Sequence, residues 1–318
     1  MKKVIITAIT ALVLFSCQND QAEGTNSEAA AKATLRTCAS QDVLEAQLKA
    51  DPTLAIRMNE IEAYTNKALL SGKLVNGKIE IPVVVNVLYR TTAENISAAQ
   101  IQSQIDVLNK DFNALNSDYN SVPALFAGVK ANVGITFVLD QIIRKSTTKT
   151  SWGTNDAMKK TAQGGLAPTS PTTKLNMWSC TIGGGILGYA QFPGGASSTD
   201  GVVIDPKYFG LSGAANAPYN LGRTATHEVG HWMNLRHIWG DATCGSDLVS
   251  DTPTHNTANY GVPSYPHYST CSGTPVEMTM NYMDYVDDAA MYMFSTGQKN
   301  RIAAIFTSGG ARNSFAQP

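Results

Sequence analysis

The chain has 318 residues, with 24 Lys and Arg against 25 Asp and Glu, so its formal net charge is −1. That balance excludes the basic excess that a nucleic-acid-binding surface needs. Only 15% of residues are charged beside 43% hydrophobic, which points to an exported globular protein rather than a disordered one, and five Cys are too few for a disulfide scaffold at this length. In chain order, Lys2 and Lys3 precede the uncharged run Val4 to Phe15, twelve residues long. A membrane-spanning helix needs about twenty, so this run reads as the apolar region of a signal peptide. It ends in Leu14-Phe15-Ser16-Cys17, which resembles a bacterial lipoprotein box with Phe15 bulkier than usual. Cys17 is therefore the expected lipidation site; the alternative is an ordinary cleaved signal with an incidental Cys. Residues 18–32 are polar and read as a tether.

Ser40 is expected to cap a helix carrying Val43, Leu44 and Leu48. Asp51-Pro52 starts a second helix, with Leu54, Met58, Ile61 and Tyr64 on one stripe. Ser71-Gly72 and Asn76-Gly77 are turn signals. Ile79 to Tyr89 is β-branched and reads as a buried strand, Ile96 to Leu115 as an amphipathic helix, and Val133 to Ile143 as a second strand. Lys174 to Ser179, Leu187 to Pro193 and Gly201 to Asp205 are shorter strand candidates. Asn220 to Met233 is expected to be helical with Asn220 as its cap, and Thr296 to Phe306 forms a final helix. The class is α+β: an α/β-like upper part with a twisted mixed sheet and two long helices, then an irregular, loop-rich lower part. The Gly183 to Gly188 run matches GxGxxG but is not followed by a helix, so it is not read as a nucleotide loop.

Three of five His fall within His227-Glu228-Val229-Gly230-His231-Trp232-Met233-Asn234-Leu235-Arg236-His237. Residues four apart share a helix face, so His227 and His231 can aim their rings at one ion, with Glu228 beside them. His237 is six residues on, about 600° around a helix, and cannot join them unless the helix breaks. Asn234 stands where the break is needed, and Asn tolerates the left-handed backbone such a turn requires. Three neutral imidazoles would leave Zn²⁺ one open position, lower the pKa of its water to about 7, and let Glu228 act as general base.

This stretch resembles the metzincin zinc-protease signature, with Asn234 in place of its Gly. Asn281-Tyr282-Met283-Asp284-Tyr285 resembles the Met-turn of that group. Together the two motifs resemble the pappalysin-like (pappalysin–cytophagalysin) branch over roughly residues 79–306. The resemblance implies a zinc endopeptidase acting on extended polypeptides. Met283 would form the floor beneath the three His, and Tyr285 would stabilise the oxyanion. Leu187, Gly188, Tyr189 and Ala190 would lie on the edge strand that binds substrate backbone antiparallel; otherwise they are an ordinary hairpin. Asp287-Asp288 would line the pocket for the residue after the scissile bond and hint at a basic side chain there.

Cys244 and Cys271 bracket the loop-rich part and are expected to pair in an exported protein. Cys180 reads as a buried thiol. Asp247 and Asp251 are candidate Ca²⁺ ligands, the alternative being a solvated loop. Cys38 is a candidate latency thiolate in the fourth zinc position, the alternatives being a free Cys or a bridge to Cys180. The expected organisation is a lipoprotein-type signal over 1–17, a tether and helical pro-segment over 18–75, and a catalytic domain over 76–318, divided into an upper subdomain 76–237 and a lower one 238–318. The protein is expected to be a monomer, made as a zymogen and exported to the outer membrane or cell surface through the Cys17 lipid, or secreted. Rival readings are an inactive zinc-binding surface protein and a zinc hydrolase of small amides or esters.

Overall fold

The computed structural model describes residues 35–72 and 79–316. Cys17, the signal, the tether and the Asn76-Gly77 turn lie outside the described residues. In chain order the elements are α1 (Ser40–Ala50), α2 (Thr53–Ser71), β1 (Ile79–Tyr89), α3 (Ala98–Phe112), β2 (Lys130–Ala131), β3 (Ile135–Ser146), β4 (Leu175–Ser179), β5 (Gly188–Ala190), β6 (Val202–Ile204), α4 (Arg223–Trp232), β7 (Phe294–Ser295) and α5 (Thr296–Phe306). No helix among the described residues is long and apolar enough to cross a membrane.

Five strands form one sheet in the order β3-β1-β4-β6-β5. β1, β3, β4 and β6 run parallel, and β5 pairs antiparallel with β6 at the edge. The alternation of β1 explains its central place. Ile79, Ile81, Val83, Val85 and Val87 enter the core with Ile101, Ile105, Leu108 and Phe112 of α3 and Ala225, Val229 and Trp232 of α4. Leu88 faces the opposite side, where Trp178, Tyr189 and Val203 form a second cluster. Strands buried on both faces lose the polar alternation of a half-exposed strand, hence the continuous VVVNVL run. α3 packs on β3 and α4, and α4 packs on β5 and β6, so the α4 helix lies directly beneath the edge strand.

Two expected caps do not form. α4 begins after Gly222, whose φ of 76° is left-handed, and not at Asn220. The first amides are instead served from far along the chain: Asp288 Oδ2 accepts from Leu221 N at 2.8 Å and Arg223 N at 3.3 Å. Ser40 makes no capping bond on α1 because its hydroxyl is committed elsewhere. By contrast, Ser295 and Gln298 form a reciprocal capping box on α5. Below the sheet, residues 238–293 are almost entirely loop, held by the Cys244–Cys271 disulfide. Cys180 is a fully buried free thiol.

Candidate metal centre and active site

The site is built on the end of α4. Asn234 N donates to His231 O at 2.9 Å and Leu235 N to Gly230 O at 3.0 Å, the paired bonds of a Schellman stop. Asn234 occupies its left-handed position with φ 72°. The chain therefore reverses where expected, and His237 comes back to the pair on α4.

Each ring is fixed through Nδ1. His227 donates to Tyr282 O at 2.7 Å, His231 to Leu235 O at 2.8 Å, and His237 to the Asp241 carboxylate at 2.5 Å. Carbonyl and carboxylate oxygens only accept, so each Nδ1 carries the proton and each Nε2 is a bare lone pair. The Nε2 of His231 lies 3.1 Å from that of His227 and 3.0 Å from that of His237. Burial foremost, and then the neighbouring rings, hold His227 and His231 neutral, His231 down to about 3. Three lone pairs aimed at one point repel one another, and a cation at that point removes the conflict. The donor set thus fits Zn²⁺.

Cys38 completes the group. Its Sγ and the three His nitrogens all lie within 4.8 Å of one another, and all four residues are buried. Among the described residues this is the one group of three or more such side chains that could hold an ion. Cys38 stays reduced, so the open alternative of a bridge to Cys180 is not what forms. Its thiol lies 3.2 Å from Glu228 Oε2. Burial and Glu228 push the thiol up, and burial pushes Glu228 up to about 7.

Met283 lies wholly buried under the α4 end. A Cβ on Gly230 would stand 2.5 Å from its Sδ, so glycine leaves room for the Met283 side chain against the helix. Tyr285 sits with its ring 5.7 Å from His227 and 4.9 Å from His237, and its hydroxyl donates to Cys38 O at 3.1 Å.

Residues 37–40 run alongside β5, parallel to it. Leu187 N donates to Thr37 O at 2.9 Å, Ala39 N to Gly188 O at 3.1 Å, and Ala190 N to Ser40 Oγ at 2.8 Å. Gly188 admits this approach over the acid: a Cβ there would meet Val203 O at 2.9 Å and Glu228 Cγ at 3.1 Å. Tyr189 lies on this edge strand but out of phase with its neighbours, and turns its side chain into the second core cluster, with its hydroxyl 3.0 Å from Asp156 Oδ1.

Among the described residues, Asp247 and Asp251 are not gathered with a third His, Cys, Asp or Glu. Asp247 accepts from Thr252 Oγ1 at 2.9 Å and Val249 N at 3.1 Å, and Asp251 from Ser295 Oγ at 2.6 Å and Gly297 N at 2.7 Å.

Four contributors escaped the sequence reading. Ser40 Oγ donates to Glu228 Oε2 at 2.8 Å. Arg36, buried, pairs with the buried carboxylate of Asp288, donates to Val286 O at 3.1 Å, and stacks its guanidinium 4.8 Å from the Tyr219 ring. Asp241 orients His237, and its position four residues after that His was the available signal. Glu62 of α2 pairs with Arg301 and accepts from Asn234 Nδ2 at 3.2 Å, while Arg301 Nε donates to Asn234 O at 2.8 Å.

Comparison with known proteins finds metalloproteases. The peptidase family described as pregnancy-associated plasma protein-A matches residues 179–307. An extracellular metalloprotease of Coccidioides posadasii is 32% identical over 254 residues, 77% of this chain and 84% of that one. A solved promirolysin mutant from Tannerella forsythia is 40% identical, with TM-score 0.81, covering 88% of this chain and 97% of that one. Mature mirolysin of the same organism, in complex with a cleaved peptide, is 43% identical with TM-score 0.73 and covers 76% of this chain and 97% of that one.

Proposed function

The chain belongs to the pappalysin family of metalloproteases, and from that membership we propose that it is a zinc endopeptidase of extended polypeptides, made as a latent precursor and exported. The observation that carries the reading is the convergence of three imidazole Nε2 atoms with Cys38 Sγ, beside the Glu228 carboxylate. His227, His231 and His237 would hold zinc, which when bound supplies Lewis acidity and lowers the pKa of a water.

The chain's own groups then have defined tasks. Glu228 Oε2, once Cys38 and Ser40 leave it, takes the proton of the attacking water and passes it to the leaving amine. The Tyr285 hydroxyl, which donates to the Cys38 carbonyl in this form, donates to the substrate oxygen as its charge grows. Leu187 N, Gly188 O and Ala190 N take substrate backbone in the antiparallel sense. Residues 37–40 use the same groups but run parallel to β5, so they fill the cleft in the reverse direction. Latency would combine Cys38, whose sulfur would hold the metal together with the three imidazoles, with Ser40 on the general base. The Arg36–Asp288 pair supports a basic side chain immediately after the scissile bond, since the reversed segment places Arg36 on that side of Cys38.

The wider coverage of a precursor structure than of a mature one supports residues 35–72 as a removable pro-segment. The peptide bound to mature mirolysin supports a polypeptide substrate, and the open edge strand favours it over a small amide or ester. Export is supported by relatives named extracellular; attachment through a lipid on Cys17 rests on the signal sequence. The reading as a monomer rests on the His, Cys and Glu groups of the site all belonging to one chain. Ca²⁺ at Asp247 and Asp251 rests on the acidic loop alone, where both carboxylates also accept from protein donors.

Processed, zinc-loaded protein should hydrolyse casein. Glu228→Ala should lower that rate at least 100-fold, on the order of one general base, with zinc retained. Unchanged proteolysis in Glu228→Ala would refute the assignment.

A further inference from the structure

We propose that Phe192 forms the floor of an apolar subsite on the amino-terminal side of the scissile bond, reading the second or third residue before it (P2 or P3). Resting on the latent-precursor reading above, the subsite is filled in the present form by Leu44 of α1 and Leu54 of α2.

Direction comes first. Substrate antiparallel to β5 enters with its amino-terminal part at the Ala190 end and leaves with its carboxy-terminal part at the Leu187 end. Phe192 stands two residues beyond Ala190, on the entering side. Its ring lies 5.2 Å from that of His231, so one wall of the subsite is the metal centre itself. An extended peptide whose scissile bond lies over the metal therefore passes this ring within two or three residues.

Burial comes second. Phe192 is 6% exposed, in a small cluster with Leu44 and Leu54 that is separate from the two larger cores. Its half-buried neighbours there, Leu48 and Met58, also come from α1 and α2. Every apolar partner of this ring in the cluster is thus supplied by the segment proposed to leave. The following turn is tied to the same helix, since Arg57 Nε donates to Gly194 O at 2.8 Å. Departure of α1 and α2 uncovers an aromatic ring beside the cleft. An uncovered ring bounded by a fixed imidazole favours an apolar side chain of about the size of the leucines that occupy it.

The test uses full-length precursor activated by limited proteolysis and loaded with zinc, with zinc content measured for each variant. The peptides share Arg after the scissile bond and carry Leu, Ala or Ser at P2 and at P3. Wild type should prefer Leu over Ser at one of these positions by about tenfold in kcat/KM. Phe192→Ser should reduce that preference to about twofold, through a higher KM for the Leu peptide, and leave the Ser peptide nearly unchanged. Phe192→Trp should narrow the subsite and move the ranking from Leu towards Ala, which keeps the question open to decision should Phe192→Ser lose zinc. A wild-type enzyme without the Leu preference, a Phe192→Ser variant that slows all peptides alike, or an unchanged ranking in Phe192→Trp overturns the subsite. Failure of zinc-loaded protein to cut any peptide would instead strike the proposed function.

Discussion

The His237 imidazole has almost no freedom. Asp241 holds its Nδ1, and the Trp239 ring stacks on it with centroids 4.3 Å apart at an interplanar angle of 7°. Carboxylates behind ligating imidazoles typically contribute 10–100-fold in metal affinity, so Asp241→Ala should weaken zinc by about that factor in competition with a chelator. Asp241→Asn keeps an oxygen acceptor and should lose less; equal affinity in all three proteins would show that Asp241 does not orient the ligand. Asp111 carries a different residue-scale prediction. Burial raises its carboxyl to about 6, against the opposing pull of Arg223 and the bond from Thr226 at 2.7 Å. A carboxyl raised above its unfolded value of about 3.9 gives stability that is fully present below that value and lost as pH climbs through 6. Measured as the difference between wild type and Asp111→Asn, stability should shift towards wild type by about 1 kcal/mol on going from pH 7.5 to 5. A difference independent of pH would mean that Asp111 is not raised.

At the scale of elements, the α4 stop decides whether a third ligand exists. Asn234 must hold φ 72°. An alanine there meets the full left-handed cost of about 1–2 kcal/mol, and glycine meets none. Both substitutions remove the amide that bonds Glu62, so comparing them isolates the backbone. Asn234→Ala should be about 1 kcal/mol less stable than Asn234→Gly by denaturant unfolding, and equal stability would contradict a strained turn at this residue. Periodicity rendered several elements well. β1 and α5 have the bounds read from the sequence, because burial on both sides and helical patterning leave signs in the local sequence. The two misread caps show what local pattern omits. Ser40 looks like an N-cap but faces a carboxylate 188 residues away, and α4 is capped by an acid 65 residues beyond Arg223. Only the folded chain brings either pair together.

Over the whole molecule, the proposed pro-segment is held along the site by contacts that include Arg36 on Asp288, Cys38 at the imidazoles, Ser40 on Glu228, and Glu62 on Arg301 at the α4 stop. The zinc motif and Met-turn were legible because metal chemistry restricts residue type and spacing within short stretches. Arg36 and Glu62 were not, since an ion pair across 252 or 239 residues leaves no periodic trace. Cys38 lay between these cases, a thiol of the right chemistry without a local indication of its partner. X-ray absorption at the zinc edge, on zinc-loaded precursor and on the processed form, tests the central claim most directly. The account predicts three imidazole nitrogens at about 2.0–2.1 Å and one sulfur at about 2.3 Å in the precursor, with the sulfur replaced by oxygen after processing. A precursor without the sulfur, a processed form that keeps it, or fewer than three imidazoles in either would contradict it.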